Sequence, residues 1–150
     1  MNYGIQPDVV STAKGIGGGL PLGAVLFGEK TEFTLGHGDH ASTFGGNPIC
    51  CAGAISIIKR IDSALLAEVK EKSDMVFSML DGAPGVEAVS GMGLMIGIKT
   101  VKPAADVVKI CMDNGVLCLT AKDRVRLLPA LNIPKDVLVK AIEIIKGACA

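Results

Sequence analysis

A single lysine stands directly ahead of a glycine cluster near the start of the chain. Lys14 is the only basic side chain between Met1 and Glu29, and it is followed by the sequence Gly-Ile-Gly-Gly-Gly. Glycine lets a backbone approach a ligand closely. A lysine beside it can bind phosphate as a point charge or, once desolvated, act as a Schiff-base amine. The order fits neither the dinucleotide fingerprint, because Leu20 stands where glycine is needed, nor the P-loop, because the lysine precedes the glycines.

A second candidate is the loop of hydroxyls and small residues that spans His40–Pro48. Ser42 and Thr43 lie just ahead of a helix start predicted at Asn47, and that position favours the binding of an anion. From composition alone the simpler interpretation is preferred, in which Ser42 and Thr43 are ordinary loop hydroxyls and Asn47 is a helix cap.

A third candidate is the arginine pair in the sequence Arg-Val-Arg-Leu-Leu-Pro-Ala-Leu, which begins at Arg124. On a strand, Arg124 and Arg126 share one face, and Val125 and Leu127 share the other. An arginine on a half-buried strand usually meets a carboxylate. A ligand carboxylate and a structural salt bridge within the protein are both consistent with this pattern.

Four motifs occur in a fixed order along the chain: Ala-Lys-Gly-Ile-Gly-Gly-Gly-Leu-Pro-Leu-Gly-Ala, Ser-Thr-Phe-Gly-Gly-Asn-Pro, Gly-Met-Gly-Leu-Met-Ile-Gly and Arg-Leu-Leu-Pro-Ala-Leu. Together they resemble the class III pyridoxal-phosphate-dependent aminotransferases, and the resemblance covers essentially the whole chain. The tail Gly-Val-Leu-Cys-Leu-Thr-Ala, which begins at Gly115, is most similar to the acetylornithine type. One departure is Ser90, which stands before the third motif where this family often has a basic residue.

The resemblance implies roles for four residues. Lys14 would carry pyridoxal 5'-phosphate as a Schiff base and, once a substrate amine displaces it, move the proton between the substrate Cα and C4′ of the cofactor. Thr43 would bind the cofactor phosphate across the interface of a homodimer, and Ser42 would lie near the substrate. Arg126 would hold the substrate α-carboxylate with its bidentate fork. No metal site is expected.

The resemblance also implies that the chain corresponds to the C-terminal segment of a longer enzyme. The expected fold is α/β, the C-terminal part of a fold type I transferase, with residues 1–82 ending the large cofactor-binding domain and residues 83–150 forming a small α+β domain. The Gly-Thr phosphate loop, the ring-stacking aromatic residue and the aspartate at the pyridine nitrogen would all lie in the missing first half. We therefore expect the chain to be inactive alone.

The expected activity of the longer enzyme is transfer of an amino group between N-acetylornithine, or a similar ω-amine donor, and 2-oxoglutarate in arginine biosynthesis. Ornithine, succinylornithine and 4-aminobutyrate aminotransferases remain alternatives, as does a non-catalytic folding or association module. Small amino and 2-oxo acids would be the binding partners, and the expected location is the cytoplasm.

Composition limits the other function classes. The chain has 150 residues, of which 49% are apolar, with 15 basic and 15 acidic side chains. A zero net charge argues against nucleic-acid and anionic-membrane binding, and the N-terminus lacks the pattern of a secretory signal. The five cysteines have no Cys-x-x-Cys spacing, so they are interpreted as buried free thiols.

The first half is predicted to contain the elements that position Lys14 and Thr43. Gly23–Phe27 is predicted as a buried strand, and Ile49–Ile61 as a helix capped by Asn47, with Pro48 in its first turn. This helix is apolar all round, which predicts burial on every side. An amphipathic helix follows from Asp62 or Ser63 to Leu80, with Glu68 and Lys72 as an exposed i,i+4 pair.

The second half is predicted to position Arg126. A subdomain boundary is placed at Asp81–Gly85, where Gly82 and Pro84 end the helix. The elements predicted beyond it form a small α+β layer: strand Leu94–Thr100, helix Ala104–Asp113, strands Val116–Leu119 and Val125–Leu128, and helix Pro134–Lys146.

Overall fold

The computed structural model describes residues 3–150, and the contacts between their Cα atoms divide the chain into two compact units. The N-terminal unit extends to Asp62, and the C-terminal unit runs from Ser63 to Ala150. The boundary expected after residue 82, which concerns the domains of a longer enzyme, stays a prediction. The helix starting at Ser63 packs with later elements of the chain.

The N-terminal unit contains a two-stranded antiparallel ribbon and one helix. Strands β1 (Val9–Thr12) and β2 (Ala24–Phe27) pair with each other, and a 3-10 turn at Lys14–Gly17 follows β1 directly. Helix α1 spans Pro48–Ile58. Oδ1 of Asn47 accepts hydrogen bonds from the backbone N–H groups of Ile49 (3.0 Å) and Cys50 (3.2 Å), so the predicted cap is confirmed.

Within this chain α1 is not buried on every side. Ile49, Ile55 and Ile58 keep 70%, 54% and 55% of their surface exposed, and only Cys50 and Ala54 of this helix are buried. A helix that is apolar all round needs partners all round, and within its unit α1 packs against the 3-10 turn. Among residues 3–150, none of the helices has the length and apolarity that a bilayer crossing requires.

The C-terminal unit is a four-stranded antiparallel sheet with three helices. The sheet order is β3-β4-β6-β5. The elements, in chain order, are α2 (Ser63–Leu80), β3 (Val86–Met92), β4 (Met95–Thr100), α3 (Ala104–Asp113), β5 (Leu119–Ala121), β6 (Arg124–Leu127) and α4 (Lys135–Cys149).

Buried and less buried residues alternate along the two central strands, and the buried ones form the part of the core that the sheet contributes. Ile96 and Ile98 of β4 face the same side as Val125 and Leu127 of β6, and all four are buried. The helices supply the other half of the core with Val76, Leu80, Val107, Ile142 and Ile145. The predicted division of faces on β6 is thus confirmed, with both arginines on the side away from the core.

Some of the predicted strands have different bounds in the structure, because pairing with other strands determines where they begin and end. Helix α3 has the predicted bounds, whereas β3 was not predicted as a strand, because Ser90 and Gly91 interrupt its apolar pattern. Strand β5 begins at Leu119, where the sequence favoured an end. The two-residue hairpin Lys122–Asp123 sets this register by placing Ala121 opposite Arg124.

Lys72 is also placed differently from its prediction. Its Nζ lies 3.3 Å from Oε2 of Glu68, as the spacing predicts, but Lys72 is buried with 7% of its surface exposed. Nζ donates a second hydrogen bond, 3.3 Å long, to the carbonyl of Leu131. The lysine therefore ties α2 to the loop between β6 and α4, and is not part of a solvated helix face.

Three of the five free cysteines lie near one another in the C-terminal unit: Cys111, Cys118 and Cys149. Burial raises the pKa of the Cys118 thiol to about 12, and the neighbouring Cys111 and Cys149 thiols act in the same direction. Burial also raises the pKa of Cys111 and of Cys149. All three groups are therefore neutral thiols at pH 7.

Gly85 and Gly82 offer a matched test of packing in the turn before β3. Both have left-handed backbones, with φ of +74° and +69°, so alanine at either position costs about 1–2 kcal/mol of strain. A Cβ at Gly85 would overlap the carbonyl of Cys149, whereas a Cβ at Gly82 has nothing within 4 Å. We expect Gly85→Ala to lower the free energy of unfolding by a further ~1–3 kcal/mol relative to Gly82→Ala in urea titrations. Equal losses would contradict this account.

The raised thiol pKa makes the stability of the C-terminal unit depend on alkaline pH. Since the folded chain holds the Cys118 proton more tightly than the unfolded chain, this stabilisation is complete below the ordinary thiol pKa of 9.0 and is lost as the pH rises toward 12. We expect the free energy of unfolding to fall between pH 8 and pH 10.5, and to fall less in Cys118→Ser. Cys51→Ser, in the other unit, is the control. Parallel pH profiles for wild type and Cys118→Ser would contradict the prediction.

Candidate active site

Lys14 begins the turn that follows β1, in a backbone conformation unusual for a side-chain-bearing residue. Its φ is +58°, in the left-handed region, which costs about 1–2 kcal/mol for a residue other than glycine. The side chain is exposed, and it forms no hydrogen bond or ion pair within residues 3–150. Strained residues of this kind cluster at functional sites, but Lys122 in the hairpin between β5 and β6 has the same conformation, so the backbone is consistent with a role for Lys14 without singling it out.

The glycines after Lys14 pack against α1, a contact that the sequence interpretation missed. A Cβ at Gly18 would lie 2.9 Å from Cγ1 of Ile57, and a Cβ at Gly53 would lie 2.9 Å from the carbonyl oxygen of Gly17. These glycines therefore allow close approach of loop and helix, whereas the sequence attributed them to approach of a ligand. Gly53 could have indicated this contact from the sequence, because a glycine inside a helix lowers the stability of the helix and is usually present for a packing reason.

Ser42 and Thr43 occupy a turn just ahead of α1. The backbone N–H of Gly45 donates to the carbonyl of Ser42 (3.1 Å), and the Asn47 cap follows. Both hydroxyls are exposed, and neither is hydrogen bonded to another of the described residues. Helix α1 thus supports both loops of this unit. The loop with Ser42 and Thr43 leads into its first turn, and the lysine loop packs at Gly53, about 7.5 Å further along the helix axis.

Arg126 lies in the C-terminal unit, on the face of β6 that points away from the core. It pairs with Gly97 of β4 on one side and with Leu119 of β5 on the other. The side chain is half-buried, and its Nε is fully buried without a hydrogen-bond partner among residues 3–150. None of the ion pairs formed within residues 3–150 includes Arg126, so the structural salt bridge that the sequence allowed does not form there.

A cavity of about 330 Å³ adjoins Arg126. Its lining is otherwise apolar and includes Leu119, Leu128, Ile133, Leu138 and Ala141. Cys118 also lines it, and the raised pKa of that thiol, caused first by burial, keeps it neutral. Arg126 is the only charged residue that the described part of the chain contributes to the lining, which also includes the core residues Leu127, Ile142 and Ile145.

The neighbouring arginine has a different role. Nη1 of Arg124 donates to Oγ of Ser90 (3.1 Å), across the strand that lies between them. Gly97 leaves room for this side chain, because a Cβ there would lie 3.3 Å from Cδ of Arg124. The sequence spacing correctly predicted that the two arginines share one face of the strand. It could not show that Arg124 is hydrogen bonded to Ser90 while Nε of Arg126 has no hydrogen-bond partner within residues 3–150.

The candidate residues are thus divided between the units. Lys14, Ser42 and Thr43 belong to the N-terminal unit, where only Ser42 and Thr43 share a loop, and Arg126 belongs to the C-terminal unit. Within residues 3–150, no three His, Cys, Asp or Glu side chains are grouped closely enough to hold a metal ion.

Comparisons with known proteins agree with the motifs. The family model described as aminotransferase class-III matches residues 1–149. The acetylornithine aminotransferase of Haemophilus ducreyi is 41% identical over 97% of this chain and 37% of its own length. That of Streptomyces coelicolor is 45% identical over 90% of this chain and 35% of its own length.

Solved structures give the same result for the fold. The ornithine delta-aminotransferase of Plasmodium falciparum is 29% identical, with a TM-score of 0.86 over 98% of this chain and 41% of its own. The acetylornithine aminotransferase of Elizabethkingia anophelis is 26% identical, with a TM-score of 0.84 over 98% of this chain and 40% of its own. The expected fold, the C-terminal part of a pyridoxal-phosphate-dependent aminotransferase, is confirmed. The chain spans less than half the length of these relatives, and it belongs to the class III aminotransferase family.

Proposed function

We propose that this chain carries the catalytic lysine and the substrate-carboxylate arginine of an aminotransferase that moves an amino group between N-acetylornithine, or a similar ω-amine donor, and 2-oxoglutarate in arginine biosynthesis. The observation that carries the proposal is the match of the class III aminotransferase model to residues 1–149, together with the exposed side chain of Lys14, which forms no hydrogen bond or ion pair within residues 3–150. The acetylornithine aminotransferases among the relatives support this choice of donor.

The described residues fit the cofactor of this family, pyridoxal 5'-phosphate. Lys14 offers a free primary amine for its aldehyde carbon, and Thr43 offers a free hydroxyl for its phosphate. When bound, the cofactor supplies an electron sink for the substrate Cα. The Lys14 amine would then move the proton at that atom. In a homodimer, Thr43 would act from the partner subunit.

Arg126 is proposed to bind the substrate α-carboxylate. A guanidinium presents two parallel donors to a carboxylate, and this bidentate contact fixes orientation as well as affinity. The unpartnered Nε and the absence of an ion pair within residues 3–150 leave those donors available. Ser42 is proposed to lie near the substrate.

The short span of the chain bears on both its domains and its activity. We propose that residues 1–82 belong to the end of a large cofactor-binding domain and that residues 83–150 form a small α+β domain. The chain covers 37% of the Haemophilus ducreyi relative, so we expect no transamination by the chain alone. A homodimeric parent and a cytoplasmic location stay predictions from the resemblance.

Two alternatives have specific support. An ornithine donor is favoured by the solved structures, several of which are ornithine aminotransferases. A non-catalytic association module is favoured by the exposed apolar surface of the N-terminal unit, where Phe33 and Phe44 are 89% and 82% exposed. Succinylornithine and 4-aminobutyrate as donors have no separate support.

The amine of Lys14 is tested by reduction of the chain with borohydride in the presence of pyridoxal 5'-phosphate. We expect peptide mass spectrometry to locate the pyridoxyl group chiefly on Lys14, and Lys14→Arg to abolish that label. Lys122 is a matched control, because it is also exposed and has a left-handed backbone, with φ of +56°. Lys122→Arg should leave the labelling unchanged. Label spread evenly over the lysines would reject the proposed role.

The role of Arg126 is tested in a chimaera in which this chain replaces the matching segment of the Haemophilus ducreyi enzyme. We expect Arg126→Gln to raise KM for both N-acetylornithine and 2-oxoglutarate about 10- to 100-fold, since a hydrogen bond to a charged group is worth ~1.5–3 kcal/mol. The absorbance of bound cofactor should stay normal. Arg124→Gln is the control and should change KM little. Loss of cofactor absorbance in Arg126→Gln would instead indicate a structural role.

A further inference from the structure

The turn that ends α3 brings two cysteines together. Cys111 lies in the last turn of this helix, and its carbonyl accepts a hydrogen bond from the backbone N–H of Val116 (2.9 Å). The N–H of Gly115 donates to the carbonyl of Met112 (3.1 Å), and Gly115 has a left-handed backbone with φ of +82°. This pair of bonds around a left-handed glycine is the Schellman ending of a helix. It reverses the chain and leads the segment that contains Cys118 back along the end of α3.

Alternation along that segment directs the second thiol inward. Val116 and Cys118 pack against the core, whereas Leu117 between them is 84% exposed. Side chains of an extended segment point alternately to opposite sides, so Cys118 is on the side of Val116. The Cys118 thiol donates a hydrogen bond to the sulfur of Cys111. The two sulfur atoms are therefore in direct contact, which is the arrangement from which a disulfide forms with little backbone movement.

The two thiols differ in how a reagent can reach them. Cys111 is completely buried, whereas Cys118 is half-buried and lines the cavity of about 330 Å³ between β5, β6 and α4. A small oxidant that enters this cavity meets Cys118 first. Cys149 also lies near these thiols, but it is only 1% exposed and does not share their hydrogen bond.

We propose that Cys111 and Cys118 are an oxidisable dithiol that hydrogen peroxide converts to a disulfide, with Cys118 attacked first and Cys111 completing the bond. In the first step the Cys118 sulfur attacks one peroxide oxygen, the O–O bond breaks, and a sulfenic acid and one water form. In the second step the Cys111 sulfur attacks the Cys118 sulfur, the S–O bond breaks, and a second water leaves. Both thiols are oxidised and the peroxide is reduced. The site involves neither Lys14 nor the cofactor, so it goes beyond the proposed function.

The environment of the pair determines how such a site behaves. Burial raises the pKa of both thiols, that of Cys118 to about 12. The thiolate is the attacking species, so the first step is slow at neutral pH. A disulfide is strongly oxidising when its reduced form is stabilised as a thiolate, and this pair lacks that stabilisation. We therefore expect the disulfide to form slowly and then to resist reduction.

Peptide mapping tests which cysteines are joined. The reduced full chain is treated with hydrogen peroxide, alkylated with iodoacetamide and digested with trypsin. Cys111 and Cys118 fall within one tryptic peptide, residues 110–122, so their disulfide lowers its mass by about 2 Da and prevents alkylation. Dithiothreitol before alkylation should reverse the change. Cys149 lies in a different peptide, residues 147–150, so a disulfide to it would join two peptides. That joined product, or no disulfide at all, would overturn the proposal.

Serine variants test the order of the two steps. Cys111→Ser keeps the accessible thiol but removes the one that completes the bond, so we expect dimedone to label a sulfenic acid at Cys118 at least ~10-fold more than in the wild type. Cys118→Ser leaves only the buried thiol, and Cys111 should then take up no dimedone. Cys51→Ser, in the other unit, is the control and should leave the disulfide yield unchanged. Equal labelling of Cys118 in the wild type and in Cys111→Ser would contradict the proposed order.

Thermal unfolding shows whether the disulfide fits the native turn. A cross-link between Cys111 and Cys118 removes conformational entropy from the unfolded chain, so the Tm of the oxidised chain should lie ~4–8 °C above that of the reduced chain. Cys111→Ser treated with peroxide in the same way controls for oxidation at other residues, and its Tm should not rise. A lower Tm for the oxidised wild type than for its reduced form would show that the disulfide distorts the fold, and the proposal would fall.

Discussion

The pairing of β4 with β6 is the constraint on which the C-terminal unit depends. Ile96 faces Leu127 and Ile98 faces Val125 across these two strands, and the four side chains form the layer on which the helices pack. Because side chains alternate along a strand, a slip of one residue would turn this layer outward and drive Arg126 into the core. The same register that buries the apolar residues therefore holds Arg126 on the open face, where its cross-strand neighbour is Gly97.

The two units differ in how completely they bury their own apolar residues. The buried cluster that forms the core lies wholly in residues 69–149, whereas α1 and the ribbon of the N-terminal unit keep most of their apolar side chains exposed. Close contacts of Gly17, Gly18 and Gly53 still hold the lysine loop on α1. The loop carrying Lys14 thus has a defined support, while the support itself has unpartnered apolar surface.

Local chemistry explains how much could be predicted from the sequence. The Asn47 cap, the bounds of α3 and the faces of β6 follow from neighbouring residues, and all three were predicted correctly. The burial of Lys72 depends on Leu131, a residue far away in sequence. Whether Nε of Arg126 finds a hydrogen-bond partner depends on which side chains the fold brings to it, and within residues 3–150 none bonds to it. No spacing rule contains that information. The Lys14 and Thr43 assignments came from motif resemblance, and the left-handed backbone of Lys14 was visible only in the structure.

The exposure of Lys14 has a consequence for reactivity. A lysine becomes an effective amine catalyst when its surroundings remove water and stabilise the neutral form. Within residues 3–62 the Lys14 side chain is exposed, so this unit positions the amine without desolvating it. Arg126 is in the opposite condition, since its Nε is already removed from water. The proposed catalysis by Lys14 therefore requires further surface to cover the lysine loop and α1.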